Sequence, residues 1–200
     1  MKRTGRFALA VLAGGVVMFI WGGISHMSLF KGAGFSHLAN DEVVATDLSR
    51  SIPRDGLYFL PSPDFSGPEG DAEAAALEAK ARKGPTGMIV FHREGSELVS
   101  GRKLSIQFFS ELLAAAIGAL VLSRFAASYW LRVLTMGLLG AFGVLSISTI
   151  YWNWYGFPDA FFAAQLADKA IGWLVAGAAM AAIVPAAGDQ ILFKRREDTA

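Results

Sequence analysis

Between Phe7 and Phe30 the chain reads FALAVLAGGVVMFIWGGISHMSLF, 24 residues without a full charge, with Lys2, Arg3 and Arg6 just before it. At a rise of about 1.5 Å per residue, a helix of this length crosses roughly 30 Å of hydrocarbon. A basic start followed by an apolar run also describes a cleaved signal peptide. This run, however, closes on Trp21-Gly22-Gly23-Ile24-Ser25-His26 with no small-x-small cleavage site, and a chain without cysteine has no lipoprotein box. The reading is therefore an uncleaved first span.

Three more runs follow. Leu104 to Ser123 is interrupted only by Glu111 and closed by Arg124; Val133 to Pro158 is uncharged; Ala170 to Gly188 carries Pro185 near its end. None alternates polar with apolar residues as barrel strands do, and a helix satisfies its own backbone in lipid. The predicted fold is a mainly α membrane protein, a four-transmembrane-helix bundle with a small exterior α+β cap between helices 1 and 2. The expected order is a cytoplasmic N-terminus (1–6), helix 1 (7–30), an exterior, periplasmic segment (31–103), helix 2 (104–123), a cytoplasmic turn (124–132), helix 3 (133–152), an exterior turn (153–169), helix 4 (170–188) and a cytoplasmic tail (189–200).

Composition agrees. The 200 residues are 54% hydrophobic and only 18% charged, with a mean hydropathy of +0.43. Soluble domains carry about 25% charged residues. Of the 35 charges, 20 lie between Lys31 and Lys103. A net charge of +1 provides no broad basic field for nucleic acid, and zero cysteines exclude thiol catalysis, CxxC relays and thiolate metal sites. No phosphate-binding loop, dinucleotide fingerprint, GxSxG or EF-hand loop occurs.

Orientation follows from basic residues in the short segments. Lys2, Arg3, Arg6, Arg124, Arg132, Lys194, Arg195 and Arg196 fall on one side, against Lys169 with Asp159 and Asp168 on the other. Both termini are thus expected in the cytoplasm of a bacterial inner (plasma) membrane; the long 31–103 segment does not count, because long loops translocate largely regardless of charge. Trp21, Trp152, Trp154 and Trp173 are assigned to outer helix ends and Trp130 to the inner turn, where amphipathic indoles are favoured. Small residues four apart (Ala10 with Gly14, Ala114 with Gly118, Gly137 with Ala141, Gly172 with Ala176) suit close helix packing.

Within 31–103, Asn40 is a candidate N-cap for a helix over 41–50, with acid in its first turn and Arg50 in its last. Gly56 to Pro61 and Gly87 to Arg93 read as strands. Pro68 to Lys83 between them reads as a helix, with Glu78 four residues before Arg82 and Gly84-Pro85 as its stop. Parallel and antiparallel pairing both remain open. With so few strongly apolar positions, this cap is expected to rest on the bundle or on a partner chain.

Few residues carry chemistry. Glu111 lies on the order of 10 Å inside its run, a depth at which an acid is a functional candidate by default; Ser146, Ser148, Thr149, Asn153 and Lys169 are its candidate partners, and an acid that is simply hydrogen-bonded to hold the helices in register is the reading favoured over a proton or cation path. His26, followed by Met27, has the chemistry of a haem ligand, but no other span holds a second histidine; it reads more simply as an interfacial cap. In Tyr151-Trp152-Asn153-Trp154-Tyr155, four large aromatics surround one amide, either an aromatic belt or a platform for a domain, a lipid headgroup or a hydrophobic ligand. The contact candidates are accordingly Glu111, His26, Tyr151, Trp152, Asn153, Trp154, Tyr155 and Lys169, with no cofactor and no metal expected.

The rows Phe19 to Met27, Gly56 to Pro61, Gly84 to His92 and Tyr151 to Pro158, in that order, resemble a family of uncharacterised bacterial four-helix inner-membrane proteins. The resemblance implies topology and no activity. The architecture is also similar to that of claudins, whose loop cysteines are missing here. The functional expectation is a structural or accessory inner-membrane protein that binds a protein or lipid partner through its exterior cap and aromatic outer face. Its partners are the lipid bilayer and a membrane-protein complex or homo-oligomer, without nucleic acid. The alternatives are a small proton or cation transporter using Glu111 and a membrane haem protein or enzyme using His26.

Overall fold

The computed structural model describes residues 3–64, 70–124 and 126–187. It is mostly helical, with four helices long and apolar enough to cross a membrane and one small sheet. Helix α1 (Arg3–Ile24) runs into a π-helical turn (Ser25–Leu29); α2 (Asp41–Ser51), strand β1 (Gly56–Leu60), α3 (Asp71–Lys83) and strand β2 (Gly87–Phe91) follow; then come α4 (Gly101–Arg124), α5 (Tyr129–Tyr155) and α6 (Asp159–Ile183). Lys2, Lys194, Arg195, Arg196, the 189–200 tail, the last residue of the expected fourth span and the start of the helix expected from Pro68 lie outside the described residues.

Two compact units are present. The first holds residues 1–35, 99–152 and 157–200; the second holds 36–98 with 153–156, the last turn of α5 and the glycine after it.

In the first unit the long helices carry buried faces of small residues and methionine. Ala10, Gly14, Gly15 and Met18 are buried on α1, Ala115, Gly118 and Ala119 on α4, Met136, Gly137 and Gly140 on α5, and Gly172, Ala176, Gly177 and Met180 on α6. A β-carbon at Gly14 would strike Met180, at Gly118 or Gly177 it would strike Met136, and at Gly172 it would meet Trp21 and the end of Met18. Flexible thioethers thus fill notches left by glycine. At Gly140 the obstacle is the Lys169 carbonyl, so α5 and α6 approach backbone to backbone. The Ala10–Gly14 and Gly172–Ala176 pairs are the ones anticipated. On α4 and α5 the anticipated pairs are offset, because Ala114 and Ala141 sit beside the buried seam and Ala115, Ala119 and Gly140 within it. Opposite faces expose Leu113, Ile117, Leu138, Phe142 and Leu145, as a lipid-facing surface requires.

One boundary departs strongly from expectation. Helix α6 begins at Asp159 and not at Ala170, so the expected exterior turn 153–169 shrinks to residues 156–158. Gly156 ends α5 with φ of 70°, and the Pro158 carbonyl accepts the N–H groups of Phe161 and Phe162 to start α6. The charges of Asp159, Asp168 and Lys169 broke the apolar run in sequence without breaking the helix. As a result, Trp173 lies mid-helix against Gly140 and the core instead of at an outer end.

The other end of α6 is closed by α5. Pro185 has no N–H to donate to the Ala181 carbonyl four residues earlier. Arg132, 4% exposed, supplies the missing donor: its Nη1 donates to Ala181 O at 3.2 Å and Nη2 to Val184 O at 2.7 Å. Tyr129 Oη donates to Ala178 O at 3.1 Å, one turn deeper.

In the second unit β1 and β2 pair antiparallel, Gly56 opposite Phe91 through Leu60 opposite Gly87, which settles the open choice of strand direction. Asn40 holds the N-cap position of α2, but its side chain makes no capping bond; the Asp41 carboxylate accepts the Glu42 N–H instead. Helix α3 starts with Glu73 accepting the Gly70 N–H and carries the expected Glu78–Arg82 pair, exposed and so of small energetic weight. Arg93 ties the unit together: its Nη1 donates to the carbonyls of Ser49 (3.0 Å) and Ile52 (2.8 Å) at the end of α2.

Replacing Arg132 with methionine keeps the bulk and orphans the α6 carbonyls. Unfolding in detergent micelles is expected to show a loss of about 1–3 kcal/mol for each carbonyl left without a donor. Arg132→Lys recovers only part of it, because one ammonium lacks the planar fork that reaches both oxygens.

Candidate functional site

Apart from Arg132 at the end of α6 and Ser123, which bonds within its own helix, the buried polar groups described in the long helices centre on Glu111 and on Asp168. On α4, Glu111 is buried and its Oε1 accepts a 2.6 Å hydrogen bond from Gln107 Nε2, one turn earlier on the same helix. Among the described residues no hydrogen bond or ion pair joins it to Ser146, Ser148, Thr149, Asn153 or Lys169. An i to i+4 partner satisfies this acid locally, without help from another helix.

The second place gathers residues from both ends of the first unit around Asp168, which is 1% exposed. Gly172, one helical turn further along α6, leaves room for the Trp21 indole against the helix. From there Trp21 Nε1 donates to Asp168 Oδ1 at 2.8 Å and to the Asp168 carbonyl at 3.0 Å. Lys169 Nζ is 3.1 Å from Oδ2, and His26 Nε2 is 3.8 Å from it, beyond hydrogen-bond length. Lys169 compensates the charge on this buried oxygen, and the buried Ser25 lies nearby at the end of the first span. His26 sits in the π-helical turn, closed by the Phe30 N–H on the Ser25 carbonyl at 2.7 Å; such turns re-aim side chains and recur at functional sites.

A cavity of about 210 Å³ lies beside this cluster, bounded by His26, Phe30, Phe35, Phe161, Gln165 and Asp168. Gly34, at φ of 79°, makes the wall possible: a side chain there would collide with the Phe161 backbone. The rings of Phe35, Phe161 and Phe157 continue in edge contacts and Tyr151 lies tilted on Phe157, with centroids 5.2–5.9 Å apart.

The aromatic row therefore divides. Tyr151 packs on Phe157, while Trp152 stacks on Phe162 and donates to Asp159 Oδ1 at 2.7 Å, so both brace the α5–α6 turn. Asn153, Trp154 and Tyr155 belong to the second unit. There they line a cleft of about 440 Å³ with Phe59, Met88 and Leu77, and Tyr155 meets the Phe59 ring at 5.5 Å. Trp154 is 77% exposed at its edge. Leu57 and Val90, register partners across the hairpin, are also exposed, making a small apolar patch.

Sequence reasoning singled out His26 and Lys169 but missed the group that unites them. Asp168, expected within the 153–169 turn, lies inside α6, and its spacing from Gly172, Ala176 and Met180 puts it on the same helical stripe. Gln165 and the polar use of Trp21 carried no such mark. Among the described residues no group of three or more histidines and carboxylates has the arrangement to hold a metal ion. Comparison of the chain with protein-family models, curated proteins and solved structures gives no match.

The second unit contains one electrostatic pin. Asp55 Oδ1 accepts the Arg93 N–H at 2.9 Å, and His92 Nδ1 lies 3.5 Å from Oδ2. The Arg93 backbone donor, aided by His92, holds the Asp55 carboxyl below the ordinary aspartate value of 3.8. A lowered native pKa means that the pin is complete above 3.8 and is lost as pH falls through the lower native value. The Arg93 amide shift in NMR is expected to follow this acid titration, and Asp55→Asn to abolish the dependence.

Proposed function

We propose that this chain is a bacterial inner-membrane protein of structural or accessory type, whose second unit binds a partner protein. The observation that carries the reading is the cleft that sets Trp154 and Tyr155 beside Phe59, Leu77 and Met88, next to an exposed Leu57–Val90 pair. An exposed indole at the edge of a preformed apolar cleft is a common anchor of protein interfaces. The eight basic residues flanking the spans support an orientation with both termini in the cytoplasm and the second unit exported.

Expressed with a photo-crosslinking residue in place of Trp154, the protein is expected to yield one reproducible protein adduct, absent when Leu57→Asp is added. A crosslinker at lipid-facing Leu120 is the control. A lone monomer in mild detergent, with no companion and no adduct at position 154, overturns the reading.

The second reading, proton or cation passage through Glu111, draws on one observation, a buried carboxylate with a side-chain amide as its partner. It requires flux in liposomes that falls at least about tenfold in Glu111→Gln, a change of about 1.4 kcal/mol in the barrier. Under the accessory reading, wild type and variant liposomes are equally tight.

A further inference from the structure

Three arginines share one end of the first unit. Phe19 of α1 meets Phe108 of α4 edge to face at 5.4 Å, Gly15 lies against Leu112, and Gly14 against Ala115. The two helices therefore run antiparallel, and the same register carries Arg124, the last residue of α4, to the level of Arg3 at the start of α1. Arg6 is one turn deeper. All three are exposed, and among the described residues their guanidinium groups make no hydrogen bond or ion pair.

The described acids of the first unit are Glu111, Asp159 and Asp168, and none lies at this end. Glu111 is thirteen residues back along α4, about 20 Å at the helical rise. Asp168 is bonded to Trp21, eighteen residues along α1 from Arg3. Asp159 is further still, because α6 runs antiparallel to α1, with Gly172 at Trp21 and Met180 at Gly14. By sequence, the tail 189–200 holds three basic and three acidic residues and leaves the balance unchanged.

We propose that this end of α1 and α4 binds the headgroup of an anionic phospholipid. Like charges on packed helices repel unless a counter-anion stands between them, and the guanidinium fork matches the oxygens of a phosphate. Free phosphate has the same oxygens; the apolar surroundings select the lipid. Leu9, three residues beyond Arg6, and Leu120, four before Arg124, are about half exposed on the same stripes of their helices. A phosphate held by the arginines thus has its acyl chains laid along leucine. Trp130, 74% exposed with Tyr129 against it at 5.0 Å, begins α5 just after Arg124, and an exposed indole of this kind sits at headgroup level. The opposite end of the same two helices has another balance, because Arg102 and Lys103 follow Glu94 and Glu97 closely in the chain. The arginine surface shares no residue with the Trp154 cleft and is independent of the partner reading.

The test is native mass spectrometry of the full chain released from nanodiscs made of phosphatidylglycerol and phosphatidylcholine in equal parts, with matched acyl chains. Retained phosphatidylglycerol is expected to exceed phosphatidylcholine at least about tenfold. The triple change Arg3→Gln, Arg6→Gln, Arg124→Gln is expected to bring the two lipids level. Lys31→Gln, Arg102→Gln, Lys103→Gln removes the same charge at the opposite end and is expected to leave most of the enrichment. The lysine triple Arg3→Lys, Arg6→Lys, Arg124→Lys preserves charge and topology and keeps part of the enrichment, and cooperative thermal unfolding confirms that the glutamine triple folds. Equal retention of the two lipids by the wild type overturns the proposal, as does equal loss in the two glutamine triples, the mark of unspecific attraction. Inorganic phosphate that strips the lipid at equal concentration would assign the arginines to a soluble anion and also overturn it.

Discussion

Close helix packing without side chains in the way is what the bundle rests on. In lipid, apolar surface gains little by leaving one hydrocarbon environment for another, so helices are held by van der Waals contact and by polar bonds between them. Glycine at 14, 118, 172 and 177 removes the β-carbon where a neighbour must enter, and Met136, Met180 and Trp21 occupy the space. At Gly140 the Lys169 backbone carbonyl and the edge of Trp173 come in instead. Leu122 and a few valines complete the core, and most of the other bulky aliphatic residues of the long helices are exposed on the outer faces.

The same close approach makes buried polar groups tolerable, since a donor on one helix reaches an acceptor on the next. Arg132 and Tyr129 of α5 serve the frayed end of α6, where Pro185 removes a backbone donor. At the opposite end, Trp21 of α1 serves Asp168 of α6 through the space above Gly172. Arg93 plays the corresponding part in the second unit, closing the end of α2 with its guanidinium and holding Asp55 with its backbone. In all three cases the acceptors are backbone carbonyls or a carboxylate, and the donors come from residues far away in the chain. The Asp168 arrangement differs in one respect: its second oxygen is met by Lys169, the next residue on the same helix, and a cavity opens beside the cluster.

Much of the architecture was legible. The four apolar runs, the acidic start and basic end of α2, the two short strands and the Ala-rich helix between them all followed from local composition and periodicity. The errors came where charge was treated as a boundary. Asp159, Asp168 and Lys169 removed eleven residues from the expected fourth span, because a count of uncharged residues cannot see that Trp21 and Lys169 satisfy the carboxylate of Asp168 inside the helix. The aromatic row was noticed as a unit, but two of its rings brace a turn and the others line a cleft, a division that depends on where Gly156 bends the chain.

The sequence alone determined the solvent: run lengths near the thickness of hydrocarbon, with charge confined between and beside them, are local quantities that no packing alters. It also marked the close-packing small residues of α1 and α6, while on α4 and α5 it picked pairs half a step off the buried seam. Only the tertiary structure decided what meets across those faces. The pairing of Trp21 with Asp168 spans 147 positions, that of Arg132 with Val184 spans 52, and the antiparallel register of Gly56 with Phe91 bridges an intervening helix. Hydrogen bonds act over about 3 Å, so such partners are fixed by the fold's geometry and leave no periodic trace in the chain.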